Sequence, residues 1–277
     1  MLAIDDVIKS IHALPSLPAV VAELLASVEQ EDIDMHALAA KLALDQGLSA
    51  KTLRLANSSF YGMPAKVTSI QQAIAVLGIH SIRTLVTACS VTAGFPPGGN
   101  SEFDFEAFWR HAIGTAVCAR LLAPRLRQSP ETAFTAALLH DLGTLVLATR
   151  FPDDYRQVEA WRIEHDSSTS AAQQAVFGLD HAGVGSALAA YWKFPLAIQE
   201  AVASHHCDPP PDHGLGLTIY LANVLAHALD LSGRDDEQVP PLAPQAWGQL
   251  GLDDQGCLQL FAEAETMFHE MCQVLVN

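Results

Sequence analysis

The residues most able to do chemistry are five histidines and one aspartate in the second half of the chain. They are His111, the adjacent His140 and Asp141, His181, and the adjacent His205 and His206. Imidazole and carboxylate groups together suit a first-row divalent ion such as Fe, Mn, Ni or Zn. Helical periodicity could turn these positions toward one pocket. The pattern therefore predicts a divalent metal centre whose ligands come from several helices.

The elements that must position these side chains are predicted to be helices. A helix predicted over residues 105–122 carries His111, and a second one predicted over residues 131–149 carries His140. On the second helix, His140 shares a face with the small residues Ala136, Ala137, Gly143 and Thr144. Small neighbours leave room for an ion, and the adjacent His140 and Asp141 can both reach it.

The sequence as a whole predicts an all-α fold, a bundle of many helices. Ala and Leu recur at helical spacings, and no alternating run of β-branched residues closes in an Asn-Gly or Asp-Gly turn. The other predicted helices cover residues 18–28, 35–44, 48–56, 70–77, 79–91 and 253–276. Ser69 and Gln72 match a capping box before the helix over 70–77, and Gly78 separates that helix from the next.

A segment rich in proline and glycine, GFPPGGN over residues 94–100, is the best candidate for a linker. Proline removes backbone donors and glycine loosens the backbone, so together they end any helix. We therefore predict two parts. Residues 1–95 would form an N-terminal helical subdomain, and residues 101–277 would form the subdomain that carries the histidine cluster.

Charge and hydropathy exclude several classes of partner. The 31 acidic and 15 basic residues give a formal charge of −16, which would repel a phosphate backbone, so direct nucleic-acid binding is not expected. No uninterrupted apolar run reaches the roughly 18 residues that span a bilayer, and the N-terminus lacks the basic region of a signal peptide. We expect a cytoplasmic protein with no membrane contact.

The five cysteines are widely scattered, and none forms a CxxC pair. This usage indicates neither a disulfide framework nor a thiolate zinc site, so most cysteines are expected to be small core residues. Cys207 follows the histidine pair directly and is the one cysteine that could serve as a soft metal ligand.

Motifs in a fixed order along the chain resemble those of the HDOD family, a bacterial signalling relative of the HD phosphohydrolases. The motifs are LPSLP (14–18), LRLANS (53–58), FYG (60–62), WRH (109–111), LLHDLG (138–143), DH (180–181), HH (205–206) and AN (222–223). The resemblance implies an all-helical fold in which an HD-like helical core follows an N-terminal helical part. It also implies a role in signal transduction.

The resemblance assigns roles to the clustered residues. His111 and the pair His140-Asp141 correspond to the first metal ligands of the HD superfamily. His181 and the pair His205-His206 would match the extra ligands of multi-metal members such as the HD-GYP phosphodiesterases. The last superfamily ligand is an aspartate, and the position that resembles it here is Asn223, whose neutral amide is a weaker ligand than a carboxylate.

Two further departures concern the handling of phosphate. Members that hydrolyse phosphate esters often have a lysine after the glycine of the HD motif, whereas this chain has Thr144, which leaves no cation at this position. After His206 the sequence reads CDPPPDHG, without the Gly-Tyr-Pro motif of the HD-GYP enzymes. This departure weakens the interpretation as a cyclic dinucleotide phosphodiesterase.

Three functional hypotheses follow. The first is a non-catalytic or weakly active regulatory HDOD module that acts through contacts with signalling proteins, with a histidine pocket that stabilises the fold or holds an ion. The second is a metal-dependent phosphohydrolase or phosphodiesterase in which His205 or His206 binds metal or transfers a proton. The third is a receptor whose pocket binds a small signalling molecule. The oligomeric state stays open.

Each histidine also has a structural interpretation. His181 could simply follow an N-cap at Asp180, and His205 and His206 could simply cap the end of a helix. For the histidines outside the cluster, a hydrogen-bonded or core role is the expectation. They are His12, His36, His80, His165, His213, His227 and His269.

Overall fold

The computed structural model describes residues 4–13, 39, 42–43, 46–57, 66–94, 103–236 and 238–275. Every regular element in these ranges is helical, which confirms the predicted all-α fold. The helix predicted over residues 18–28, most of that over 35–44, and residues 95–100 of the predicted linker lie outside the described residues.

The described N-terminal helices are α1 (Ile4–His12), α2 (Gln46–Ala56) and α3 (Ile70–Gly94). The predicted capping box before α3 is half formed: the amide of Gln72 donates to the hydroxyl of Ser69 at 3.2 Å, but the side chain of Gln72 accepts from the amide of Thr68, at 3.1 Å. Gly78 interrupts α3 at φ 73° and ψ 162°, a conformation that favours glycine, so the predicted division is confirmed.

The second part is a succession of shorter helices, joined by turns and one 3₁₀ segment over Ala123–Leu126. They are α4 (Phe105–Leu122), α5 (Pro130–Leu138), α6 (Leu142–Arg150), α7 (Pro152–Glu164), α8 (Thr169–Phe177), α9 (His181–Tyr191), α10 (Leu196–Ser204), α11 (Gly214–Ala228), α12 (Pro244–Gly248) and α13 (Asp254–Leu275). The bounds of α4 and α13 agree with the predicted helices. Helix α4 begins where the side chain of Asp104 accepts a hydrogen bond from the amide of Ala107 at 2.9 Å.

Helix α4 lies at the centre of the second part and packs against α5, α11 and α13. Its residues from His111 to Ala119 are all buried, as expected of a helix that is covered on every side. The N-terminal helices join the same core, because α1 packs against α9 and α3 packs against α5. The division into two subdomains at the linker stays a prediction.

The prediction of a single helix over residues 131–149 is wrong. The chain leaves helix α5 after Leu138, passes through a turn, and enters α6 at Leu142. The residues that form the turn, Leu139, His140 and Asp141, are therefore not on a regular helix face. Helical periodicity continues across the turn, so the sequence gives no sign of a break that depends on contacts with the neighbouring helix α9.

The close approach of α6 to α9 requires a glycine at position 143. A Cβ atom added to Gly143 would lie 2.0 Å from the carbonyl oxygen of His181 and 2.7 Å from the amide nitrogen of Gly185. Both atoms belong to the backbone, so they cannot move aside as a flexible side chain could. This contact places the turn with His140 and Asp141 directly against the start of α9.

One stretch of the described chain, Pro130–Arg150, is long and apolar enough to cross a membrane by composition, but 83% of its apolar 18-residue window is buried inside the protein. It is also interrupted by the turn between α5 and α6. Both features are those of a core segment.

We expect the substitution Gly143→Ala to destabilise the protein by about 1–3 kcal/mol or more, because the new methyl group must push two helices apart. Urea unfolding of the variant measures the loss. Gly183→Ala is the matched control, because a Cβ there meets only Asp180 Oδ1, at 3.7 Å. Equal stability of the two variants would contradict the close approach of α6 and α9.

Candidate metal centre

Five elements bring the predicted site residues to one place in the structure. Helix α4 supplies His111, the α5–α6 turn supplies His140 and Asp141, and α11 supplies Asn223. His181 is the first residue of α9, and His205 and His206 directly follow α10. The structural interpretations of these histidines hold at the same time: Asp180 caps α9 through the amide of Gly183, at 3.1 Å, and His205 is the C-cap of α10.

One carboxylate oxygen is the meeting point of three imidazoles. Asp141 Oδ1 lies 3.4 Å from His140 Nε2, 3.2 Å from His181 Nε2 and 3.3 Å from His205 Nε2. The rings also approach one another, since His181 Nε2 lies 3.2 Å from His205 Nε2 and 2.9 Å from His206 Nε2. His140, His181 and His205 are all buried.

Partners on the other ring nitrogen fix the tautomers of His140 and His205. The Nδ1 of each lies 2.6 Å from a backbone carbonyl oxygen, that of Ala137 for His140 and that of Val202 for His205. A carbonyl oxygen only accepts hydrogen bonds, so in the neutral ring Nδ1 carries the proton. The Nε2 atom of each ring then faces Asp141 with its lone pair.

The same argument holds for His181 through Gln173. The backbone amide of His181 donates to Gln173 Oε1 at 2.8 Å, which identifies that atom as the amide oxygen. His181 Nδ1 lies 2.7 Å from the same oxygen and therefore donates to it. Three imidazole lone pairs and one carboxylate oxygen thus point at a common space.

These donor atoms fit a divalent ion. Lone pairs held this close repel one another unless a cation lies among them. Donors that share an ion at about 2.1 Å stand about 3.0–3.4 Å apart, which matches the distances around Asp141 Oδ1. Among the described residues, His140 Nε2 and Asp141 Oδ1 are also buried without a hydrogen-bond partner, which a bound ion would supply.

The other oxygen of Asp141 has fewer potential metal ligands around it. Asp141 Oδ2 lies 3.6 Å from His111 Nε2, and that same nitrogen lies 3.0 Å from Asn223 Oδ1 and 3.4 Å from Thr115 Oγ1. A hydrogen bond from His111 Nε2 to Asn223 Oδ1 would place the proton on the nitrogen that a metal would need. This side of the carboxylate therefore offers fewer and weaker donors.

The electrostatics of the cluster favour the neutral forms of His111, His140 and His206 and the charged form of Asp141. Burial lowers the pKa of His140 to about 4. Burial, with neighbouring histidines, also holds the pKa values of His111 and His206 well below their ordinary values. Burial alone would raise the pKa of Asp141, but His140 and His181 beside it hold that pKa well below its usual range. These are the protonation states that metal ligands require.

A cavity of about 480 Å³ opens on the cluster. Phe103, Phe108 and Tyr155 form an aromatic wall of the cavity, and Thr144 lies on its lining. The sequence has no cation at position 144, but the fold brings two to the cavity from elsewhere, Arg162 on α7 and Arg234 after α11. Their placement depends on tertiary packing, so no sequence spacing indicated it.

Two other residues at the site were not identified from sequence. Gln173 orients His181, and His227 lies on the cavity wall with its ring centroid 4.4 Å from that of His111. His227 follows Asn223 by four residues, so helical spacing could have indicated it. Cys207, considered as a soft ligand, is exposed. Among the described residues, it belongs to no group of His and Asp side chains whose donor atoms lie within 4.8 Å of one another.

Protein stripped of metal by a chelator should lose stability as the pH falls from about 6.5 to about 4. The unfolded chain protonates His140 near its ordinary pKa, whereas the folded chain does so only near the lower value. Protons therefore favour the unfolded state within this window. Buried His111 and His206 act in the same direction.

The urea midpoint measured across this pH range tests the expectation. The variant His140→Asn should show a shallower pH dependence, and His269→Gln, which changes an exposed histidine, should match the wild type. A wild-type midpoint that stays constant over the window would show that the cluster is not buried in its neutral form.

The chain is similar to known proteins in sequence and in fold. The family profile of the HDOD domain matches residues 14–207. A crystal structure from Shewanella amazonensis SB2B, named as a candidate phosphohydrolase, is 29% identical, has a TM-score of 0.76 and matches over 97% of both chains. An HDOD domain protein of unknown function from Geobacter sulfurreducens has a TM-score of 0.75 at 22% identity, over 96% of this chain and 99% of that one, and shares the fold.

A relative from Treponema pallidum (strain Nichols), named only as an uncharacterized protein, is 26% identical over 235 residues. The match covers 83% of this chain but only 45% of the relative, so this chain spans less than half of that protein's length. The family match covers most of the chain and includes the cluster from His111 to His206. The chain belongs to the HDOD domain family.

Proposed function

We propose that this chain is a regulatory module of bacterial signal transduction that holds one divalent metal ion and acts through contacts with protein partners. The observation that carries the proposal is the pairing of His111 Nε2 with Asn223 Oδ1 at 3.0 Å. A neutral amide stands where a second carboxylate would be needed to complete the donor set on the Oδ2 side of Asp141. The module therefore keeps an ion site but lacks a full catalytic centre.

The ion would be held on the Oδ1 side by His140, His181 and His205 together with Asp141, and His206 stands within reach of His181. Three neutral imidazoles and one carboxylate suit Fe, Mn, Ni or Zn. The ion would join the α5–α6 turn, the start of α9 and the end of α10. Binding energy from such a site adds directly to the stability of the folded state.

We expect the purified protein to contain one metal ion per chain, measured by plasma mass spectrometry. His181→Ala and His205→Ala should each lower metal affinity at least about tenfold, because each removes a donor to the shared ion. His269→Ala, on the exposed face of α13, should retain full metal content. Wild-type metal content near zero after purification without chelator would contradict the proposal.

Asn223→Asp tests the role of the amide. A carboxylate at this position adds a negative charge on the Oδ2 side of Asp141, so the variant should bind a second ion or bind the first more tightly. Titration of metal into the stripped wild type and variant measures stoichiometry and affinity. If both proteins bind the same number of ions with the same affinity, Asn223 is not what limits the site.

A second candidate function is metal-dependent phosphoester hydrolysis. The observation that favours it is the cavity of about 480 Å³, which reaches Asp141 and carries two arginines on its lining. A bound divalent ion would polarise a phosphoryl group and lower the pKa of water. The similar Shewanella protein is named as a candidate phosphohydrolase.

Turnover assays separate the two functions. We expect no metal-dependent turnover of phosphomonoesters, nucleotides or cyclic dinucleotides by the wild-type protein after metal loading. Turnover that depends on metal and disappears in His140→Ala would overturn the regulatory proposal in favour of hydrolysis.

A further inference from the structure

Arg162 and Arg234 stand together on the lining of the cavity that opens on the metal centre. Arg162 comes from the last turn of α7, and its side chain is only 8% exposed. Arg234 follows α11 in the irregular segment that leads to α12. A chain with 31 acidic and only 15 basic residues thus places two guanidinium groups at one cavity.

Both arginines hold the carboxylate of Asp236. Arg234 Nε donates to Asp236 Oδ1 at 3.0 Å, and one of its terminal nitrogens donates to Oδ2 at 3.3 Å. Arg162 donates to the same Oδ2. Glu159 completes the group, with its Oε2 3.1 Å from Arg162 Nε and 3.7 Å from Arg234.

This arrangement has the form of an occupied anion site. Two guanidinium groups around one tetrahedral or planar anion are a common way in which proteins bind phosphate and carboxylate. Asp236 is half-exposed and lies on an irregular segment, so its carboxylate can move into solvent without disrupting a helix. Without Asp236, Glu159 balances only one of the two arginine charges, so the group formed by Arg162, Arg234 and Glu159 carries a net positive charge.

The aromatic residues of the lining indicate what else the ligand would carry. Phe103 lies 5.6 Å from Tyr155 and 5.8 Å from Phe108 between ring centroids, and all three line the cavity. An aromatic wall of this kind favours a flat, apolar group. The hydroxyl-bearing residues 167–170, at the start of α8, add hydrogen-bonding groups to the lining.

We propose that Arg162 and Arg234 form a subsite for the phosphate of an aromatic phosphate ester, and that Asp236 is an internal anion which this phosphate displaces. The inference rests on the proposed function only in that the same cavity opens on the metal centre. Displacement of Asp236 releases the chain at this residue, while Gln238 still donates to Asp166 at 2.8 Å and Tyr220 still holds Pro241 O, at 2.9 Å, and the amide of Ala243, at 3.1 Å. Ligand binding in the cavity would thereby change the contacts of a segment at the protein surface.

Calorimetric titration with phenyl phosphate tests the subsite. Asp236→Asn removes the competing charge and should tighten binding about tenfold, whereas Arg162→Gln and Arg234→Gln should each weaken binding about tenfold. Arg156→Gln is the matched control, because Arg156 lies on the same helix but pairs with Asp153 outside the cavity lining. Phenyl phosphate should bind more tightly than methyl phosphate because of the aromatic wall.

The proposal is overturned if Asp236→Asn folds, by circular dichroism, and binds phenyl phosphate no more tightly than the wild type, because the ion pairs would then only fasten the segment. If the variant does not fold, hydrogen exchange of the wild-type protein decides. Amides next to residue 236 should exchange faster with phenyl phosphate bound, and unchanged or slower exchange contradicts displacement. Metal content measured on the same samples tests the proposed function separately.

Discussion

The structure of the site depends on the convergence of three imidazole lone pairs on one oxygen of Asp141. Each of the three rings is oriented by an acceptor at its other nitrogen, which leaves Nε2 of His140, His181 and His205 directed at the same space. Such a set is repulsive on its own and favourable around a cation. The fold must therefore hold three nitrogen donors from separate elements 3.2–3.4 Å from Asp141 Oδ1, and a bound ion would stabilise that arrangement.

The local chain geometry serves this convergence. The turn between α5 and α6 takes His140 and Asp141 off a regular helix, and Gly143 allows the following helix to touch the backbone of His181. Asp180 starts α9 so that His181 is its first residue, and α10 ends just before His205. The helix ends and caps thus have a second role, because they set the positions of the donor atoms.

Much of this could be predicted from the sequence. Helical spacing and capping residues identify α4, the division of α3 at Gly78 and the C-terminal helix, because these are local properties of the chain. The order of the histidine motifs identifies the family and the residues that gather at the site. The break after Leu138 and the two arginines could not be predicted, because they depend on contacts between residues far apart in sequence. His227 is an intermediate case. Its helical spacing from Asn223 can be read from the sequence, but its contact with His111 cannot.

In the proposed function Asn223 separates this site from a complete one, and the cavity that Asn223 lines also carries Arg162 and Arg234. The most direct test of the account is anomalous X-ray scattering from crystals grown without chelator. We expect one anomalous peak about 2.0–2.3 Å from Asp141 Oδ1 and from the Nε2 atoms of His140, His181 and His205. The absence of a peak there, or a peak held instead by His111 and Asn223, would contradict it.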